Sequence, residues 1–327
     1  MKLLSSILVG VLSLGAAQSF GQNIKASELK GIRVLGFKGR LNIIADAKLQ
    51  TVQHRVLTKT DLPSHWSPQV ELENGWLNIR VSGPVSKEEW RTQTPPRVDI
   101  EIRAPPMPLQ VVWSQGDIYL KGWDKSAEIT HQVGTVKVED TKGEMKLSVH
   151  EGELSVKDHS GRLEVDNFGS KIRLEHVSGT VKIDNFQGRL SVSDGGGNYH
   201  LSTVRGKNFI DDFNGDFDFN NKQGEIVITQ SGGQLQGKSD SGTVEARLIG
   251  STEVRLRSQE ARITVALKRG LGAKVNLGSA DGQVASSLGL KVDKIDGWKV
   301  IKGEVSGKSV SQISVQSRSG DIRLRSL

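Results

Sequence analysis

The sequence has no cysteine, and its eight prolines all lie between residues 63 and 108. The first absence excludes a disulfide framework, a cysteine zinc site and thiol chemistry. The second shows where a parallel sheet can run unbroken, because a proline inside such a ladder removes a donor that the next strand needs. Aromatic residues make up only 5% of the chain. Past the N-terminal region no run of 18 or more apolar residues could span a bilayer. The one apolar run, from Leu3 to Ala17, follows Lys2 and leads into Ser19 and Gly21. That is the order of a secretory signal, so residues 1–21 are expected to be a signal peptide. With no cysteine to take a lipid, the product is expected in the periplasm, or secreted to the cell surface, of a bacterium, with no transmembrane segment left.

Charge is uneven. The formal net charge is +7, and residues 251–327 hold 14 basic against 7 acidic residues. A basic end could meet anionic envelope polymers, lipid phosphates or nucleic acid, but basic residues spread along strands are more often simply solvated. Nucleic acid is not expected as a partner, because only Trp298 is interleaved with these basic residues.

What the chain has in plenty is glycine, 37 residues, and it is periodic. From Gly116 to Gly250 the sequence divides into fifteen blocks of nine, and thirteen open with Gly, the exceptions being Lys125 and Ser170. Each block reads Gly-x-apolar-x-apolar, then four mostly polar residues. The third position fails only at Asn208 and the fifth only at Gly237. Apolar residues two apart, rich in Val and Ile, describe a short strand with one buried face. A propeller blade needs roughly 40 residues, and hairpins rarely hold one loop length through so many strands. A fixed stride is what a solenoid requires, since each strand lies in register on the strand one coil below.

The turn residues set the length of a coil. At the seventh position, alternate blocks carry Asp140, Asp158, His176, Asp194 and Asp212, while those between carry Val149, Asn167, Asn185, Thr203 and Asn221. Like stacks on like only if a coil holds 18 residues, two strands and two turns. Phe168, Phe186 and Val204 recur at the same interval, as do the alternating charges of Glu139, Lys157, Glu175 and of Lys146, Glu164, Lys182. The expected fold class is therefore all-β, a β-solenoid with a nine-residue repeat. Its regular part, residues 116–250, would be a rod of roughly 36 Å at about 4.8 Å per coil.

Residues 22–115 read as an N-terminal β cap with Pro- and Trp-rich insertions, and residues 251–327 as irregular coils with a closing strand. Strand-like pieces occur at Ile32–Val34, Leu41–Ile44, Val70–Leu72, Trp76–Val81 and Val98–Ile102, with Asn74-Gly75 as a hairpin signal. Five of the six Trp (Trp66, Trp76, Trp90, Trp113, Trp123) fall in or beside the first cap, where plugging the open end of the core is favoured over stacking on sugars. The final Gly320-Asp321-Ile322-Arg323-Leu324 repeats the pattern of Gly116-Asp117-Ile118-Tyr119-Leu120, as if the fold closed as it began.

The ordered segments 98–123 (VDIEIRAPPMPLQVVWSQGDIYLKGW), 263–284 (ITVALKRGLGAKVNLGSADGQV) and 313–324 (ISVQSRSGDIRL), together with the array between them, resemble the bacterial putative-adhesin family of exported β-solenoid domains, related in pattern to the head GIN type. The resemblance implies a right-handed single-stranded β-helix and a surface or adhesion role. It supplies no catalytic residues.

No catalytic or cofactor-binding residue is expected, and no cofactor. Asp140, Asp158, Asp194 and Asp212 could form a calcium ladder between coils, but the G-G-x-G-x-D pattern of calcium-binding rolls is missing, so a turn role is favoured. The seven His show no ligand spacing. Two functions from different classes follow: a non-enzymatic envelope protein offering a binding or scaffolding face to an envelope protein or polysaccharide, and a carbohydrate-active enzyme using Glu88, Glu89 and Trp90.

Overall fold

The computed structural model describes residues 23–58, 68–81 and 97–327. The proposed signal segment and Glu88, Glu89, Trp66 and Trp90 lie outside them. The described chain is all-β: besides strands there is one 3-10 turn, Ala26–Glu28, and no α-helix among the described residues. The strands are β1 (Asn23–Lys25), β2 (Gly31–Ala45), β3 (Thr51–Thr58), β4 (Gln69–Glu73), β5 (Trp76–Arg80), β6 (Val98–Ala104) and β7 (Leu109–Lys121). Long bent strands follow: β8 (Ala127–Asn167), β9 (Lys171–Ser193), β10 (Gly196–Asn221) and β11 (Glu225–Ser239). Shorter ones complete the chain: β12 (Thr243–Leu248), β13 (Thr252–Ser258), β14 (Arg262–Leu267), β15 (Leu271–Ser279), β16 (Val284–Ser286), β17 (Asp293–Ile295), β18 (Trp298–Val305), β19 (Ser309–Ser317) and β20 (Ile322–Ser326). Together they make a mixed sheet, parallel through the middle and antiparallel at its ends.

The central pairings are parallel and displaced by a constant stride. Ile118 pairs with Val136, Leu154 with Ile172, Val181 with Tyr199, Ile210 with Ile228 and Ala246 lies opposite Ile228. The alternate apolar residues of each strand point inward, so Ile118, Leu120, Val136, Val138, Leu154 and Val156 are all buried. Each such side chain contributes on the order of 1.5–3 kcal/mol by leaving water. Of the charge ladders, the Lys157–Glu175 rung closes at 3.0 Å and the Glu164–Lys182 rung at 3.4 Å. Glu139 turns instead to Lys137 and to the Tyr119 hydroxyl, which donates to it at 2.7 Å.

Both departures from the apolar pattern have a packing reason. Gly237 leaves room for the Phe219 ring of the preceding rung, which a Cβ would strike. Asn208 is buried, accepts from the Asn185 side chain at 3.1 Å and donates to the Glu225 carbonyl at 3.1 Å.

The corners differ from one another. On one side Asp140, Asp158, His176, Asp194 and Asp212 all adopt φ of 51–54°, the left-handed region that Asp tolerates better than most residues. His176 bridges its neighbours, with Nδ1 3.0 Å from Asp158 and Nε2 3.5 Å from Asp194. On the other side the equivalent residue points inward, giving the buried run Asn167, Asn185, Thr203, Asn221 and Ser239. Asn221 accepts from the Gly224 amide at 2.7 Å and donates to the Ser239 hydroxyl at 2.9 Å. At Gly134 (φ 135°) and Gly179 (φ 117°), a Cβ would fall on the carbonyl oxygen of Gly116 or Gly161 one rung back, so glycine alone fits.

The ends are built by insertion. β2 lies between β7 on one side and β5 and β6 on the other, with Ile32 paired to both Leu109 and Leu77. β5 and β6 are then covered by antiparallel β4 and β3, and Asn74-Gly75 (φ 54° and 84°) forms the expected hairpin turn. Trp113 and Trp123 are buried in this region, donating their indole N–H to the Gly39 and Met107 carbonyls. At the other end, β19 inserts between β13 and β15, and β20 between β14 and β16. The final strands therefore close the sheet one rung inside its edge, and antiparallel β18 and β17 lie outermost beyond β15.

Three outcomes test this architecture. Asp212 has φ 53°, so Asp212→Val should cost about 1–2 kcal/mol in chemical denaturation, while Asp212→Gly should cost little; equal losses would contradict the backbone explanation. Removing residues 309–327 should expose the chain to proteolysis back to the β13–β14 region, beyond the cut itself, and a truncated chain as protease-resistant as the whole would refute the insertion. The third concerns pH. Burial holds the imidazoles of His131 and His159 below the ordinary histidine value. The unfolded chain then binds more protons than the folded one, so stability is full above about pH 6.5 and falls as pH drops below it. His159→Val should shallow that fall in urea midpoints measured between about pH 7 and 5.

Candidate functional site

A groove of about 570 Å³ runs up the corner that carries the buried Asn run. Its form follows from strand alternation carried round the bend. The seventh residue of each alternate block points inward and makes the floor: His131, Val149, Asn167, Asn185. The residues on either side point out and make two walls. One wall is polar, with Thr130, Ser148, Asp166, Asp184 and Ser202. The other carries Gln132, His150, Phe168, Phe186 and Val204.

Stacking in register fixes the second wall. The His150 and Phe168 rings are 4.6 Å apart and 5° from parallel, and Phe168 and Phe186 are 5.0 Å apart and 6° from parallel. These spacings follow the strand separation of about 4.8 Å. Phe168 and Phe186 remain 44% and 45% exposed. Since each face of Phe168 is covered by a neighbouring ring, what the solvent meets is a strip of ring edges.

The floor is tied down. Asn167 donates to the Asn185 side-chain oxygen at 2.7 Å and accepts from the Ser170 amide at 2.9 Å. His131 donates from Nδ1 to the Trp113 carbonyl at 2.9 Å, and burial, outweighing that bond, favours its neutral form. On the polar wall Ser148 donates to Asp166 at 3.4 Å, and Lys182 lies 2.7 Å from Asp184 and 3.4 Å from Glu164. The wall thus offers both acceptors and donors beside an apolar strip.

The sequence singles out Phe168, Phe186 and Val204 only as markers of register. The signal that they form a site is the placing of aromatic side chains on a wet corner, where the column before His150 and after Val204 carries Gln132 and Lys222. The four aspartates considered for calcium, Asp140, Asp158, Asp194 and Asp212, lie along the other corner, exposed and left-handed. Lys121 is 3.4 Å from Asp140. Among the described residues no group of three or more His, Asp or Glu is arranged to hold a metal ion. No described helix is long and apolar enough to cross a membrane.

No family model and no curated protein matches the chain. Solved structures similar to it include a putative cell adhesion protein from Clostridium sporogenes, 13% identical, covering 95% of this chain and 100% of that one, with a TM-score of 0.25. A putative lipid binding protein from Parabacteroides distasonis is 11% identical, covers 94% of this chain and 97% of its own, and has a TM-score of 0.33. A putative adhesin from the same species is 10% identical over 93% of this chain and 98% of that one, with a TM-score of 0.26. The solved structures that this chain resembles thus include proteins described as adhesins or cell adhesion proteins.

Proposed function

We propose that this chain is an exported, non-enzymatic protein of the bacterial cell envelope, periplasmic or at the surface, acting as an adhesin-like binding surface. In this reading its repeat winds as a right-handed β-solenoid of 18 residues per coil, and the groove along the Phe168–Phe186 corner seats an envelope polysaccharide. The constant parallel stride of the central strands supports the winding. The leading apolar segment supports export.

The observation that carries the binding reading is the pair of parallel walls. Aromatic edges on one side face hydroxyl and carboxylate groups on the other over the three successive rungs of His150, Phe168 and Phe186, so an elongated ligand lying along the axis meets the same two kinds of contact more than once. A polysaccharide has matching features: hydroxyls that donate to Asp166 and Asp184 and accept from Ser148 and Ser202, and C–H edges that lie on the apolar strip. A floor locked by the Asn167–Asn185 hydrogen bond keeps the ordering cost of binding low.

The test uses peptidoglycan sacculi and purified lipopolysaccharide as baits in co-sedimentation and calorimetry. Phe168→Ala/Phe186→Ala should weaken retention about tenfold or more and leave melting little changed, because neither ring is in the core. Asp166→Asn/Asp184→Asn should weaken it less. Retention unaffected by the double Phe change would remove the groove from the proposal. Release of sugar products, abolished by Glu88→Gln or Glu89→Gln, would replace the binding reading with an enzymatic one.

A further inference from the structure

Residues Lys291–Trp298, at the C-terminal end of the sheet, are exposed without a break. They lead into β17 and run along it to the turn of the β17–β18 hairpin, in which Ile295 pairs with Trp298 across Asp296 and Gly297. Both turn residues are left-handed, with φ 48° and 84°, the conformation of a tight two-residue turn, so the tip is stiff. The base of the hairpin serves the fold, because β18 covers the edge of β15 and buries Ile301. The tip does neither. Val292, Ile295 and Trp298 stand 45%, 45% and 38% exposed, whereas Trp113 and Trp123 are buried. The Cε3–Cζ3 edge of Trp298 lies over Gly278.

The charges around this patch are mostly basic. Lys294 and Lys299 face each other across the hairpin, a placing that disfavours the hairpin itself and opposes contact between two copies at this face. Lys291 and Lys302 flank them, and Lys299 also donates to the Gly282 carbonyl at 3.0 Å. The two carboxylates nearby, Asp293 and Asp296, are fewer than the four lysines. Among the described residues none of these six groups has an ion-pair partner.

We propose that this tip is an interfacial anchor for an anionic phospholipid bilayer, entering the headgroup layer with Val292, Ile295 and Trp298 while the lysines meet lipid phosphates. Tryptophan is suited to the boundary between acyl chains and water. Lysine stems lie along apolar surface with their ammonium groups outward, and basic side chains are drawn to anionic lipid. A single shallow hairpin gives reversible attachment, not insertion across the membrane. The proposal stands apart from the groove, which lies on a corner of the central strands.

Protein purified from cells expressing the whole chain would be sedimented with phosphatidylcholine vesicles and with vesicles containing roughly one-third phosphatidylglycerol. Binding is expected to the second only, and to weaken as salt is raised. Ile295→Ser/Trp298→Ala and, separately, Lys291→Glu/Lys294→Glu should each reduce it about tenfold or more, with melting unchanged. Brominated phosphatidylglycerol should quench part of the tryptophan fluorescence of the wild type, and that part should vanish in Trp298→Phe. Phe168→Ala/Phe186→Ala should bind vesicles as the wild type does, so failure of the groove reading and of this one are separable. No binding to anionic vesicles, or equal binding by the Ile295/Trp298 variant, would overturn the proposal. So would concentration-dependent self-association relieved by that variant, which would assign the tip to a second copy of the chain.

Discussion

The structure depends on how closely its corners stack. Where one rung passes over the next, the carbonyl oxygen of a corner glycine occupies the space in which the following corner residue would carry its Cβ. That contact allows no added atom and no added residue, because a slip of one position turns every inward side chain outward. The stride of the central strands is therefore held by backbone geometry as well as by the apolar pattern. Lys125 and Ser170, which open their blocks without glycine, are absent from the residues with positive φ. At Ser170 the corner is held another way, by the Ser170 amide donating to Asn167. Near Phe213 the register shifts, directly after Asp212, the last of the left-handed aspartates on that corner.

A stack of parallel strands leaves unpaired donors and acceptors at its two ends, and such edges invite pairing with another molecule. This chain places neither its first long strand nor its last at the edge. β2 is covered by strands that follow it in sequence, and β19 and β20 fill a gap left by strands that precede them. Most of the outermost positions go to antiparallel pieces, β4 and β3 with β1 at one end and β18 with β17 at the other, where the three-residue parallel β16 lies beside β20. The insertion also makes the ends cooperative. Until β19 arrives, β15 has no neighbour on the side facing β13, so the final strands hold the cap together.

How much of this could be read from the residues follows from what kind of constraint each feature reflects. The 18-residue stride was legible because one interaction recurs at every rung and leaves a mark at fixed intervals, as with Asp140, Asp158 and Asp194. The Asn74-Gly75 turn was legible because left-handed backbone restricts residue choice locally. The conformation of the aspartate corner was only half legible: a turn is implied by the residue type, but the left-handed backbone that selects it is not. Insertion of β19 and β20 was not legible, since pairing Val254 with Ile313 and Val275 with Ile313 joins segments that no local pattern links. The repeat motif at Gly320–Leu324 shows that the last strand has the right shape without showing which neighbours take it. The groove was missed for a related reason. Phe168 and Phe186 carry the same periodic signal as the core, and only their outward direction at the corner, set by the bend, separates a recognition surface from another buried row.

Inside the ladder every residue is already committed, either to the narrow core or to a corner contact. Outward-facing strand positions hold charges that pair across rungs, and changing them shifts little, since exposed ion pairs contribute on the order of 0–1 kcal/mol. Freedom to vary without loss of register remains at the outward residue of the Asn corner and at the tips of the end hairpins. At both places apolar side chains stand in water, Phe168 and Phe186 at the one and Val292, Ile295 and Trp298 at the other, as Leu72, Val112, Val133 and Val310 do elsewhere. The core accounts for neither, and both are held by rigid backbone: one by stacked rungs, the other by a tight turn on a paired strand. A scaffold with so little slack can acquire recognition only at such positions, so the same contact that forbids change in the glycine column concentrates it there.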